Sequence, residues 1–312
     1  MSLPVTASVF PLIEGVNLAI TCKIIGERSA EFIINMTGDP SFYLTNDGVR
    51  LAYHDQGEGP IILFIPGWRL SSVWWQFQVN ALISKFRVIT LDMRGCGNSD
   101  KPIMEYDLNR YAKDIFGFIH AKNFARVNLV GWSLGASTIF AYIDLFGTKF
   151  LSSCTLIDQS PKCLNDAEWN LGLRRGAFTR EEMNKSIEKL QNHDADYISN
   201  FIPAMFSDKF KEKLSTDDLK WMIADALNMP AEQAFLLVTD HWNQDWRGIL
   251  NLIDIPALII SGYRSLVFDS RSGEYLARNI KDSKFELFEN SGHVPFYEEP
   301  ERFNRILKEF LI

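Results

Sequence analysis

Cysteine is scarce in this chain. The four residues, Cys22, Cys96, Cys154 and Cys163, form no CxxC pair and no zinc-ligand spacing. That excludes a disulfide scaffold or a structural zinc site and fits free thiols in a reducing compartment. No run of 18 apolar residues occurs, so no membrane span is expected. The N-terminus lacks a basic region, and Glu14 interrupts its apolar stretch, so no signal peptide is expected and a cytoplasmic location follows. Basic charge is not in excess either. Against 32 Lys and Arg stand 39 Asp and Glu, giving a net charge of −7 with both signs mixed along the chain. Nucleic acid and anionic membrane are thereby disfavoured as partners. No internal repeat or low-complexity segment is visible.

What is present is core. Apolar residues make up 46% of the 312, enough for one large domain or one domain with an insertion. Residues 1–40 show no clear period and read as an N-terminal extension of unknown structure. From Phe42 the pattern sharpens. "FYLT" and "VRLAYH" flank turn chemistry at Asn46, Asp47 and Gly48, which predicts a hairpin. Short apolar runs follow: "IILFI" (61–65), "RVITL" (87–91), "VNLVG" (127–131), "CTLID" (154–158), "ALIIS" (257–261) and "FELFE" (285–289). Such runs suit strands buried on both faces. Helical stretches lie between most of them, including "DLNRYAKDIFGFIHAK" with Asp107 as N-cap. The alternation predicts an α/β fold with a mostly parallel sheet covered by helices on both faces. The rhythm breaks between residues 162 and 250. "TREEMNKSIEKLQNHDADYISNFIPAMF", "TDDLKWMIADAL" and "AEQAFLLVTDHW" are helical with no strand between them, so an all-helical insertion divides a core made of 41–161 and 251–312.

"NLVGWSLGAS" places Ser133 between Gly131 and Gly135, after a strand and before a helix. This is G-x-S-x-G in its structural context, a tight turn that lifts the hydroxyl to the carboxyl end of the sheet. A serine hydroxyl needs a base. Of five histidines, His54 falls in a strand, His120 near a helix end, and His193 and His241 in the insertion. His293, in "ENSGHVPFYEEPERF", follows the last strand, where open α/β sheets place their sites. An oxyanion hole needs two backbone N–H groups. Leu134, next to the serine, supplies one; the loop "PGWRLSS" supplies the other through Trp68, with Gly67 allowing close approach. "DMRGCGNS" is glycine-rich without phosphate-loop spacing and reads as a structural turn.

Taken together, "FIPGW", "DMRGCGNS", "GWSLG" and "SGHVPFYEEPERF" resemble the α/β-hydrolase superfamily, in its branch of small esterases and cofactor-free haloperoxidase-like enzymes. The resemblance spans about residues 42–312 and implies an eight-stranded sheet, with the insertion as a helical cap. Two positions depart from the pattern: Pro66 stands where a histidine often precedes the oxyanion glycine, and Ser265 stands where an aspartate usually follows strand 7. A hydroxyl cannot supply the charge that a catalytic histidine needs. Asp158, at the end of "CTLID", is therefore the expected acid, as in branches that place it after strand 6; Asp269 is the alternative, although capping the next helix is role enough for it.

The resemblance implies a serine hydrolase that cleaves an ester, thioester or lactone through an acyl-enzyme, with a small-molecule acyl substrate, no metal and no cofactor. A homodimer is left open. Trp132, Trp169, Trp242 and Phe296 are the expected pocket residues. The alternative is a cofactor-independent dioxygenase of the same fold acting on an N-heteroaromatic ring, since "PGW" also resembles that group's loop; a non-enzymatic receptor comes third.

Overall fold

The computed structural model describes residues 39–104 and 106–312. The N-terminal extension lies outside the described residues except for its last two positions, as does Cys22.

Eight strands form one sheet in the order β1-β2-β4-β3-β5-β6-β7-β8. β1 (Ser41–Leu44) and β2 (Arg50–Gln56) make the hairpin, with Gly48 at φ 83° in its turn. β2 runs antiparallel to β4 (Arg87–Leu91). The remaining pairings, through β3 (Ile61–Ile65), β5 (Val127–Trp132), β6 (Leu151–Ile157), β7 (Ala257–Gly262) and β8 (Ser283–Phe288), are all parallel. β5 and β7 are buried along their whole length, as strands covered on both faces must be; β8, expected to be buried in the same way, is instead an edge strand in which only Phe288 is fully buried. β6 starts earlier than the run "CTLID", because Val127 pairs with Leu151 across a register shift.

A short 3₁₀ turn leads into α1 (Gln76–Leu82). α2 (Leu108–Ala121) starts at Asp107, whose carboxylate accepts from the Arg110 backbone N–H at 2.6 Å. α3 (Leu134–Phe146) is buried from Leu134 through Ile143 and packs against α2. Between β6 and β7 come α4 (Arg180–Asn192), α5 (Asp194–Ala204), α6 (Asp208–Lys211), α7 (Thr216–Leu227) and α8 (Ala231–Asn243), with only isolated bridges at Lys162–Asp245 and Asp166–Trp169. The stretch from 179 to 206 divides at His193 (φ −144°, ψ 47°), where Asp194 and Asp196 supply the acidic first turn of a new helix. α9 (Arg271–Asn279), α10 (Pro295–Glu298) and α11 (Pro300–Leu311) complete the fold.

The glycine-rich loop after β4 braces the sheet. Asp92 accepts from the N–H groups of Ser72 (2.7 Å) and Asn98 (2.8 Å), and the Ser99 hydroxyl accepts from Ala52 N–H (2.8 Å). Arg94, fully buried, pairs with the equally buried Asp114 of α2 at 2.6 Å and with Asp47 of the hairpin turn at 3.0 Å. Removing one partner of a buried pair strands the other. Asp114→Ala is expected to cost roughly 3 kcal/mol, the low end for a broken buried pair because Asp47 still faces Arg94; equilibrium urea unfolding measures it.

Candidate active site

β5 ends in Trp132, and the chain turns at Ser133 with φ 55° and ψ −121° before entering α3. An L-residue pays for such a conformation, and the surroundings must hold it. They do so by close packing. A Cβ on Gly131 would lie 2.5 Å from the Gly135 carbonyl oxygen, and one on Gly135 would run into the carbonyls of Ile65 and Pro66. Only glycine fits at either place. The Ser133 N–H donates to the Ile157 carbonyl at 2.9 Å, which ties the turn to β6. Among the described residues, the backbone N–H groups of Leu134 and Trp68 find no acceptor.

His293 follows β8 on a loop held by its own backbone. Its N–H donates to Met205 O at 2.7 Å, and its carbonyl accepts from the Trp132 indole at 2.8 Å. The second bond joins the histidine loop to the residue just before Ser133. The Trp132 and His293 rings lie 5.5 Å apart. Among the described residues the Ser133 hydroxyl makes no hydrogen bond, so its relation to His293 is one of placement.

His293 Nδ1 lies 2.5 Å from Asp158 Oδ2, and both side chains are 1% exposed. Asp158 sits just past β6 at φ 44°, a left-handed conformation that aspartate tolerates better than most residues. Its carboxylate accepts two further hydrogen bonds: Gly262 N–H to Oδ1 at 3.0 Å and the Ser265 hydroxyl to Oδ2 at 2.7 Å. Ser265 thus occupies the loop after β7 as a donor to the carboxylate that came from β6. Asp269 is turned elsewhere. It accepts from Arg271 N–H (3.0 Å) and pairs with the guanidinium groups of Arg271 and Arg175. It organises the approach to α9, whose N-cap is the next residue, Ser270.

A cavity of about 710 Å³ opens over Ser133, with Trp68, Leu173, Phe178, Phe201, Val238 and Trp242 supplying most of its apolar wall. His193 of the insertion also borders it. Three expected pocket residues do not. Trp132 and Phe296 are wholly buried and pack on each other (4.9 Å between centroids) and on Trp75, because the turn at Ser133 sends the neighbouring indole back into the core. Trp169 packs edge-on against Tyr275 beneath Arg247, and its indole donates to Lys162 O at 3.0 Å. Sequence reasoning passed over His241, which also lines the cavity. Its signal was available: Ala234, Val238, His241 and Trp242 fall on one face of a helix.

The insertion is fastened to the loop that carries Trp68. The Trp68 indole donates to Ala234 O of α8 at 2.9 Å. Arg69, 1% exposed and at φ 66°, pairs with Asp194 of α5 and donates to Ala226 O and Met229 O. Asp225 of α7 accepts from Ser71 N–H and the Trp74 indole, both at 3.0 Å, and burial pushes its carboxyl up to about 6.

The α/β hydrolase fold family model matches residues 60–300, and the chain belongs to that family. The AB hydrolase superfamily protein YisY of Bacillus subtilis is 27% identical over 268 residues, covering 85% of this chain and 97% of that one. The 3-oxoadipate enol-lactonase 1 of Acinetobacter baylyi is 29% identical over 275 residues, covering 87% and 97%. Among solved structures, an esterase from Exiguobacterium antarcticum superposes with a TM-score of 0.80 over 87% of this chain and 98% of its own, at 24% identity, which speaks to the fold. Among the described residues no helix is long and apolar enough to cross a membrane.

The histidine loop meets the insertion at Glu298. This carboxylate accepts from Gly292 N–H (2.7 Å), Ser207 N–H (3.2 Å) and the Ser207 hydroxyl (2.5 Å), yet burial pushes its carboxyl up to about 7, with Glu299 adding to the rise. A raised folded-state value means that the native protein holds this proton more tightly than the unfolded chain does. The resulting stability is full below the ordinary carboxyl value and is lost as pH rises through about 7. Urea midpoints should therefore fall between pH 5 and 8 in the wild type, and Glu298→Gln should flatten that fall.

Proposed function

We propose that this chain is a serine hydrolase that cleaves a carboxylic ester, thioester or lactone through an acyl-enzyme on Ser133. The observation that carries the reading is the buried 2.5 Å contact between His293 and Asp158, on the same sheet edge as the strained serine turn. An ionised carboxylate only accepts, so Nδ1 carries the hydrogen and Nε2 is left as the base. Ser133 Oγ attacks the carbonyl carbon as its proton passes to Nε2. The oxygen that gains charge is met by the N–H groups of Trp68 and Leu134, the second also at the positive end of α3. Collapse of the tetrahedral species expels the alcohol, thiol or ring oxygen, which takes the proton from His293. Water then attacks the acyl-enzyme, losing a proton to Nε2, and the acid is released. Asp158 stays ionised throughout and stabilises the imidazolium.

The His293–Asp158 pair by itself would also serve a base in the dioxygenase alternative. Two unpartnered N–H groups beside a serine held at φ 55° favour acyl transfer. The relative named as an enol-lactonase supports the same class. Buried, unpaired Cys96, Cys154 and Cys163 suit a cytoplasmic location.

A fluorophosphonate probe followed by peptide mapping is expected to label Ser133, and Ser133→Ala to lower kcat by a factor on the order of 10³ or more. Label on another residue, or none on folded protein, would sink the reading. Asp158→Asn should lower kcat by roughly 10²–10⁴. Asp269→Asn should leave kcat near wild type and cost about 1 kcal/mol or less, since its arginine partners are largely solvated. The reverse ranking would place the acid after β7.

A further inference from the structure

The cavity over Ser133 is lined by apolar side chains together with Arg174, Lys189, His193, Asp196 and Asn200 of the insertion and, from α8, by a buried histidine. His241 is 4% exposed. Its Nε2 faces three groups: the Ser137 hydroxyl at 3.1 Å, the Gln159 side-chain nitrogen at 3.0 Å and the Cys163 sulfur at 3.4 Å. The Gln159 amide also donates to the Ser137 oxygen at 2.7 Å, which leaves the serine's own hydrogen for the imidazole. Burial holds the Cys163 thiol protonated. All three neighbours therefore offer hydrogens, and Nε2 is the acceptor among them. Turning the Gln159 amide over would exchange one buried oxygen without a partner for an NH₂ group without an acceptor, the costlier arrangement. The hydrogen of a neutral ring then sits on Nδ1. That atom has no acceptor among the described residues and is not closed off from solvent; the ring borders the cavity. Ser137 lies four residues after Ser133, about one helical turn along α3, and the imidazole that faces Ser137 lines the same cavity as the nucleophile.

We propose that His241 is a specificity residue: a neutral hydrogen-bond donor that selects acyl substrates carrying a second acceptor oxygen, a ketone or ether, a few bonds beyond the scissile carbonyl. This rests on the serine hydrolase reading for its chemistry, though not for its binding. The ring suits the role because it cannot change charge in the working range. Burial, with His293 nearby, pushes its value down to about 3. It thus presents the same uncharged donor throughout neutral pH. The His293 imidazole is the titratable neighbour that faces it from the sheet side; Ser137, Gln159 and the protonated Cys163 are the uncharged ones.

The test pairs two isosteric esters, p-nitrophenyl 4-oxopentanoate and p-nitrophenyl 4-methylpentanoate. Each kcat/KM is divided by the ester's spontaneous rate in buffer. The wild type is expected to prefer the oxo ester, with a ratio that stays flat from pH 5 to 8. His241→Leu should lower that ratio about tenfold, the scale of one lost hydrogen bond. His241→Gln, which keeps a donor, should recover part of it; thermal melts check both folds. An unchanged ratio in a folded His241→Leu protein overturns the proposal, as does a wild-type preference for the methyl ester. The corresponding amides, followed by quenching of Trp68 and Trp242 fluorescence, give a second readout without turnover. If Ser133 takes no fluorophosphonate, the hydrolase reading falls on its own. Tighter binding of the oxo amide, lost in His241→Leu, would still uphold the donor, and equal binding of the two amides would refute it.

Discussion

A buried carboxylate has to be satisfied, and the carboxyl edge of this sheet is arranged around that requirement. Asp158 is 1% exposed, and its two oxygens collect the Gly262 N–H, the Ser265 hydroxyl and His293 Nδ1. Those three groups come from the end of β7, the loop after it and the loop after β8. One side chain thereby fixes three segments relative to β6. The backbone gives way to allow this, since Asp158 sits at φ 44° next to a serine at φ 55° on the neighbouring strand. Left-handed residues at two adjacent strand ends are a concentration of strain that only dense surroundings sustain. The glycines supply the density. A side chain at 262 would run into Gly292, and one at 292 would lie 2.5 Å from Met205 O.

The same economy governs the insertion. The Trp68 backbone N–H has no acceptor among the described residues, and its indole is tied to α8. Arg69, next in sequence, is held by α5 and by the carbonyls at the end of α7. The histidine loop is held by Met205, Ser207 and Glu298. Each neutral bond of this kind is worth about 1 kcal/mol, and the charge-assisted ones more. To swing the helical insertion away from the sheet would break several at once and disturb both segments that flank Ser133. The roof of the cavity and the segments beside Ser133 are therefore tied together, and Leu266, which also lines the cavity, is 53% exposed.

Much of this was legible in the sequence. Buried strands announce themselves by unbroken apolar runs, and all the core strands lie where such runs occur. Ser133 was legible because glycine at both flanks is a steric demand, and Asp158 and His293 because they follow strands at the edge where Ser133 sits. Packing direction was not legible. Trp132 and Phe296 lie one and three residues from Ser133 and His293, yet their rings fill the core between the two loops, while Trp169 serves as a brace on α9 through Tyr275. Proximity along the chain does not tell which way a side chain points when the backbone turns sharply. His241 went unread for the opposite reason. Nothing local marks it out, and its meaning depends on Ser137, Gln159 and Cys163, which are 78 to 104 residues away.

Ser265 unites these threads. Its hydroxyl donates to Asp158 and accepts from the N–H groups of Val267 (3.2 Å) and Phe268 (3.3 Å), so it connects the carboxylate to the loop whose Val267 lines the cavity. An aspartate there would be an acceptor facing an acceptor in a site closed to water, and one of the two would have to take up a proton or turn out. A hydroxyl removes the conflict because it gives and receives at once. The carboxylate after β6 and the serine after β7 are thus a single arrangement. With the charge contributed by β6, the loop after β7 is left to bind that charge and to shape the wall.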